Sequence, residues 1–346
     1  MRKIKVFLGG YVNYSNAQNL NCQAIAENLD PSKFEVYALR VHYGNNTNFD
    51  YNTFFCFWPF SFSFHLGFLW GLINADVLYL PKHTDTPIWL LKISNFLKKP
   101  IFTTIEGNVT DLSTKYNLIN LFSCEEKMCQ YFSHFNAIFG ITNNIVLNSR
   151  KVLNIRKDPL ALGVNSRFRM NFKRNNLSSI IFIGRLTNRK RVDEFIKLAR
   201  SFPKLNFKVV GDGPELNNLL RISTENIKFL GKLDQSEIKD VLKYSELMFL
   251  PSKSEGFPKV ILEAAYSGVP SIIYNNYGAS DWMTNNVDGF IVNTFQEVKD
   301  VVDKLVRTPK MLEKVSENAF ELAARYDWNF VIKDWQKVIE FLFNER

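Results

Sequence analysis

The chain has 346 residues, 46% of them hydrophobic, and 43 Lys and Arg against 34 Asp and Glu give it a formal net charge of +9. That length makes two domains of ordinary size, and that apolar content excludes a disordered or fibrous chain. Four cysteines (Cys22, Cys56, Cys124, Cys129) and four scattered histidines show no metal-binding spacing, so free thiols in a reducing compartment and no bound metal are expected.

MRKIKVFLGG leads at once into a strand over residues 3–8 that ends in a Gly9-Gly10 turn, and with no signal peptide evident a cytoplasmic protein is expected. Residues 17–29 read as a helix and 34–39 as a second strand. Residues 54–73, FFCFWPFSFSFHLGFLWGLI, have the length of a membrane span. Pro59 and Gly67 interrupt them, however, and Ser61, Ser63 and His65 are polar. A strand followed by an amphipathic or buried helix is the expectation, with peripheral contact to an anionic membrane surface as the alternative. Residues 75–83 and 101–105 read as strands, the latter ending at Glu106-Gly107.

Between positions 150 and 191 lie twelve Lys or Arg and one acid, Asp158. Such a segment suits nucleotide phosphates or anionic lipid, or is simply a solvated basic face. No nucleic-acid-binding module accompanies it, so no nucleic-acid partner is expected. Residues 180–183 form a strand with Gly184 and Arg185 at its carboxyl end and Lys190 at the start of the next helix. The GDGPEL turn at 211–216 follows a strand over 207–210. It keeps only two glycines of G-x-G-x-x-G, because Leu216 replaces the third, so a nicotinamide fingerprint fits poorly. A further strand is expected over 227–230, followed by a loop through Lys232 and Leu233.

The chain is organised around SELMFLPSKSEGFPKVILEAAYSGVPSIIY at 245–274, which reads as strand, loop, helix, turn, strand. Pro258 suits a first helical turn. Val260, Ile261, Ala264 and Ala265 make an apolar stripe, while Lys259 and Glu263 share a polar side at i,i+4. A helix N-terminus at the carboxyl end of a parallel strand is an anion site. The flanking carboxylates, Glu255 and Glu263, suit sugar or ribose hydroxyls, or are a solvated loop glutamate and a helical one paired with Lys259.

SEGFPKVILEAAYSGVPSI resembles the glutamate-x7-glutamate signature of retaining glycosyltransferases of the GT-B fold, family four, with Gly256, Phe257, Pro258, Ala264, Gly268 and Pro270 also fitting. The resemblance extends to Gly163, Val164, Asn165 and Phe168, to the GDGP turn at Gly211, and to the turns at Gly278 and Asp288-Gly289-Phe290. It implies an α/β protein of two Rossmann-like domains, with parallel sheets facing a central cleft. Residues 1–168 would bind the acceptor and 169–327 the donor, and a terminal helix over 328–346 would complete the first domain.

By the same resemblance, Arg185 and Lys190 hold the donor diphosphate, Glu255 the donor sugar and Glu263 the ribose. The backbone around Lys232 and Leu233 receives the base, and Gly10 and Gly184 let backbone approach phosphate. The implied reaction is transfer of a sugar from a UDP- or GDP-linked donor to a hydroxyl of a glycan or lipid-linked acceptor, with retained configuration and neither metal nor separate cofactor. Its setting would be bacterial surface polysaccharide, lipopolysaccharide or glycolipid synthesis. Glu106 departs from the family pattern, which has a histidine there. A carboxylate at that place would stabilise positive charge at the sugar or pair with a nearby base. A sugar-nucleotide epimerase and a non-catalytic sugar-nucleotide or polysaccharide-binding subunit are the rival readings.

Overall fold

The structure is a computed structural model that describes residues 2–345 except 15, 43, 45–48, 84, 108, 110–117 and 171–173. It divides into two compact units, residues 163–327 forming one and the remainder the other.

In the first unit, short apolar runs form six parallel strands: β1 (Ile4–Tyr11), β2 (Phe34–Val41), β3 (Asn52–Cys56), β4 (Val77–Tyr79), β5 (Ile101–Ile105) and β6 (Ala137–Gly140). Their order is β3-β2-β1-β4-β5-β6. The central strands are buried on both faces, which is why they read as continuous apolar runs rather than alternating ones. Contrary to the expected turn, β1 runs on through Gly9-Gly10 to Tyr11. A Cβ on Gly10 would lie 2.6 Å from Cys22 Sγ, so glycine there lets the strand lie against the Ala17–Asn28 helix.

The aromatic segment is β3 followed by the helix Phe60–Asn74, as the interrupting Pro59 and the polar serines suggest. Gly71 brings this helix onto β1, where a Cβ would meet the Phe7 ring at 2.3 Å. Ser63 is buried and donates to Phe57 O, so a polar residue inside the apolar run closes the turn that starts the helix. Among the described residues no helix is long and apolar enough to cross a membrane. The terminal helix Trp328–Asn344 belongs to the first unit. Trp335 is fully buried there, edge-on to Tyr79 at 5.0 Å, with Nε1 donating to Ala161 O at 2.9 Å.

In the second unit the strands are β7 (Ser179–Ile183), β8 (Asn206–Val210), β9 (Ile227–Gly231), β10 (Leu247–Leu250), β11 (Ser271–Tyr274) and β12 (Phe290–Val292), all parallel. Their order is β12-β11-β10-β7-β8-β9. Phe182, Phe195, Phe207 and Phe249 fill the space under the helices.

The units divide at Leu162 and Gly163, earlier than the expected boundary at 168. Phe168 is fully buried in the second core, and Val164 N–H donates to Tyr326 O at 2.7 Å, which ties the incoming strand to the outgoing one. Just beyond Phe168, residues 171–173 lie outside the described residues. Arg174 is buried and donates to the carbonyls of Leu242, Lys243 and Ser267, closing the ends of two helices. The basic run between 150 and 191 is therefore shared between the two units rather than forming one face of either.

Each sheet has a topological switch point, between β1 and β4 in the first unit and between β7 and β10 in the second. Connections leaving those neighbouring strands go to opposite faces of the sheet, so a crevice opens at their carboxyl ends.

Candidate active site

The second unit's switch point is built by three loops tied through backbone. Gly184 N–H donates to Val210 O at 3.0 Å, Leu186 N–H to Asp212 O at 2.9 Å, and Gly211 N–H to Gly231 O at 2.7 Å. Gly211 has φ +136°, and a Cβ there would fall 1.9 Å from Gly184 O. Only glycine allows the GDG turn to sit on the turn carrying Gly184 and Arg185. Arg185 is exposed just beyond β7.

After Arg185 the chain makes a 3-10 turn, Asn188–Lys190, before the helix Val192–Ser201. The turn directs Lys190 at the loop that follows β10. Lys190 Nζ lies 2.5 Å from Glu255 Oε1, and Arg189 Nη1 lies 3.2 Å from Glu255 Oε2. Lys253 N–H donates to Arg189 O at 2.9 Å, and Arg189 donates to Ser254 O, so the two loops are joined by main chain as well as by charge.

Burial opposes ionisation of Glu255, but Lys190 and Arg189 outweigh it and hold the carboxyl below its ordinary range. Burial pushes the Lys190 ammonium down, against the pull of Glu255. Among the described residues the buried Tyr277 hydroxyl has no hydrogen-bond partner, and burial first, then the Glu255 charge, raises its pKa.

The helix Lys259–Tyr266 starts at Pro258, which makes no side-chain cap, and Ile261 N–H donates to Pro258 O at 2.9 Å. Gly256 and Phe257 lead into it, and the Phe257 ring is 5.3 Å from those of both Trp282 and Tyr326. Val260 is partly buried against the core, and Lys259 is half-exposed in the first turn. Glu263 is half-buried, and among the described residues its carboxylate makes no hydrogen bond or ion pair. Burial raises its pKa, opposed by Lys259 and Arg167. Lys232 is exposed after β9, while Leu233 packs partly on the core.

The structure thus brings Lys190 and Glu255 into contact, with Arg185 on the neighbouring turn and Glu263 on the helix that the Glu255 loop leads into. Sequence reasoning missed Arg189 and Tyr277. Arg189 carried a signal, being adjacent to Lys190 in a basic run, whereas Tyr277 was read only as a neighbour of the turn at Gly278.

Two expected site residues belong to the first unit. Glu106 follows β5 and accepts from Asn21 Nδ2 at 3.1 Å. Gly10 lies within β1, its Cβ side filled by Cys22 and Asn19, a packing requirement that needs no ligand.

Residues 166–322 match the family model described as glycosyl transferases group 1. The matched segment spans most of the second unit. The site described above lies within it. Across both units the chain is 22% identical over 282 residues to an uncharacterized glycosyltransferase of Haemophilus influenzae, covering 78% of this chain and 71% of the relative. It is 25% identical over 304 residues to N,N'-diacetylbacillosaminyl-diphospho-undecaprenol alpha-1,3-N-acetylgalactosaminyltransferase of Campylobacter jejuni, covering 80% of each. Other curated relatives are matched over less than half of their length.

Among solved structures, sucrose-phosphate synthase of Thermosynechococcus elongatus is similar with TM-score 0.83 and 12% identity over 100% of both chains. HepE of Anabaena in complex with UDP-glucose is similar with TM-score 0.78 and 14% identity over 98% of this chain and 100% of that one. At those identities the likeness concerns the fold, which is GT-B.

Proposed function

We propose that the protein is a retaining glycosyltransferase that moves a sugar from a nucleoside-diphosphate sugar to a hydroxyl of a glycan or lipid-linked acceptor. The observation that carries this reading is the buried Lys190–Glu255 pair at the β7–β10 switch point, beside Arg185 and an uncapped helix N-terminus. Cations and the positive end of a helix suit a diphosphate, and the carboxylates Glu255 and Glu263 suit sugar and ribose hydroxyls.

In this mechanism the C1–O bond to the diphosphate breaks while the acceptor oxygen forms its bond on the same face of the sugar. The leaving diphosphate oxygen takes the acceptor's proton, so configuration is retained without an enzymic nucleophile. Arg185 and Lys190 stabilise the charge that grows on the diphosphate, the work a divalent ion does elsewhere, so turnover is expected to be metal-independent. Glu255 holds Lys190 in place and orients a sugar hydroxyl.

The Campylobacter relative's name specifies a diphospho-undecaprenol acceptor, which supports a lipid-linked acceptor here and a role in bacterial surface glycan synthesis. Such an acceptor is met at a membrane face. In the first unit, Trp58, Phe62, Trp89 and Phe96 are exposed on the turn before the helix Phe60–Asn74, on that helix and on the helix Ile88–Phe96. Neither helix contains an acidic residue, and Lys92 and Lys98 are exposed beside them. An aromatic face with basic flanks fits peripheral contact with anionic lipid.

A thermal-shift panel of UDP-, GDP- and ADP-sugars tests the donor assignment. One donor at 100 times its Kd should stabilise the protein by about 2.7 kcal/mol. No shift with any of the three would exclude a nucleoside-diphosphate sugar donor of these classes.

A further inference from the structure

The first unit carries a buried charged group outside the site described above. Lys82 lies just beyond β4, at the β1–β4 switch point, and is 6% exposed. Its Nζ sits 3.9 Å from the centroid of the ring of Tyr11, the last residue of β1. Among the described residues that ring is its recorded partner, and the ammonium makes no hydrogen bond or ion pair. The carboxylate whose field reaches it is Asp85, which is exposed. Burial dominates over that field and pushes the Lys82 pKa down.

The surroundings hold this loop in place. Gln18 Nε2 donates to Pro81 O at 3.0 Å, and Tyr11 N–H donates to Asn19 Oδ1 at 3.0 Å, which fixes both ends of the cation–ring contact to the Ala17–Asn28 helix. The adjacent His83 is buried and hydrogen-bonded to Thr103 Oγ1 at 2.7 Å, and burial lowers its pKa to about 4. His83 is therefore neutral near pH 7, and Lys82 supplies the positive charge of this loop. A ring face recovers only part of the cost of burying an ammonium. An anion entering the crevice would offset the difference, and a switch point is where open parallel sheets receive such ligands.

We propose that Lys82 binds a phosphate or diphosphate group at the carboxyl end of the first sheet. The inference rests on the transferase reading only for which molecule brings that group, the donor or a phosphorylated acceptor.

Inorganic pyrophosphate is the probe, titrated into the full chain by calorimetry with and without saturating UDP. Lys82→Met keeps the stem on Tyr11 and removes the charge, and Lys82→Arg keeps the charge. The expected result is a pyrophosphate site weakened at least 10-fold in Lys82→Met and retained in Lys82→Arg. If that site persists in the UDP-loaded protein, the phosphate is the acceptor's; if UDP excludes it and Lys82→Met also weakens UDP, it is the donor's. Loss of the site in Lys82→Met, together with a wild type that does not bind UDP, would leave the Lys82 site standing and remove the donor assignment. Lys82→Met binding both pyrophosphate and UDP as tightly as wild type would overturn the proposal, whatever the change in thermal stability.

Discussion

Lys190 Nζ lies 2.5 Å from Glu255 Oε1, in a pair whose side chains are only 11% and 8% exposed. Removing one partner of such a pair leaves a buried charge, at a cost of about 3–5 kcal/mol. Lys190→Ala is expected near the lower end, because Arg189 still compensates Glu255. Lys190→Ala combined with Glu255→Ala should recover part of that loss in urea unfolding, and strictly additive losses would contradict the pairing. Because the Glu255 pKa is depressed, its contribution is present above the ordinary carboxylate value of ~4.3 and is lost as pH falls through the folded value below it.

Glu263 has the opposite sign. Its raised pKa means that folding takes up a proton between the ordinary carboxylate value and the raised one, so stability falls as pH rises through that window. Glu263→Gln should therefore unfold at a higher temperature than wild type at neutral pH without donor. It should also bind the nucleoside diphosphate about 10- to 100-fold more weakly, the loss expected for hydrogen bonds to a charged acceptor. Unchanged donor affinity would remove the ribose assignment.

Glu106 Oε1 accepts from Asn21 Nδ2 at 3.1 Å. If it stabilises positive charge at the sugar, Glu106→Gln should keep donor binding and slow transfer about 10- to 1000-fold. Glu106→His should recover part of the rate. Wild-type transfer in both variants would leave Glu106 with a structural role alone.

The exposed aromatic face predicts vesicle binding that weakens with salt. Co-sedimentation with anionic vesicles should fall at least several-fold in Trp58→Ser combined with Phe96→Ser, with little effect on stability because both side chains are exposed. Equal sedimentation of wild type and variant at low salt would show that this face does not carry membrane contact.

The local grammar of the central stretch was legible in the sequence. Apolar Leu247–Leu250, Pro258 and Gly268 mark β10, the helix start and the helix end, because each acts on its own backbone. The extent of β1 was not, since a Gly-Gly pair usually marks a turn and only the Cys22 contact reveals why the strand continues. Arg174 belongs to the basic run that suits phosphates or a solvated face, but it is buried by carbonyls contributed from positions 242, 243 and 267. The pairing of Lys190 with Glu255 was hidden for the same reason. Each residue alone suits a ligand, and the tertiary fold brings the two loops together.

The central claim is sugar transfer supported by the cations at the β7–β10 switch point, and release of nucleoside diphosphate tests it most directly. The full chain is incubated with the UDP- or GDP-sugar that stabilises it and a bacterial lipid extract, with and without chelator. The prediction is stoichiometric nucleoside-diphosphate release with sugar incorporated into the extract, unchanged by chelation and at least about 100-fold slower in Arg185→Ala. Transfer by Arg185→Ala at the wild-type rate, or strict dependence on a divalent ion, would contradict the account.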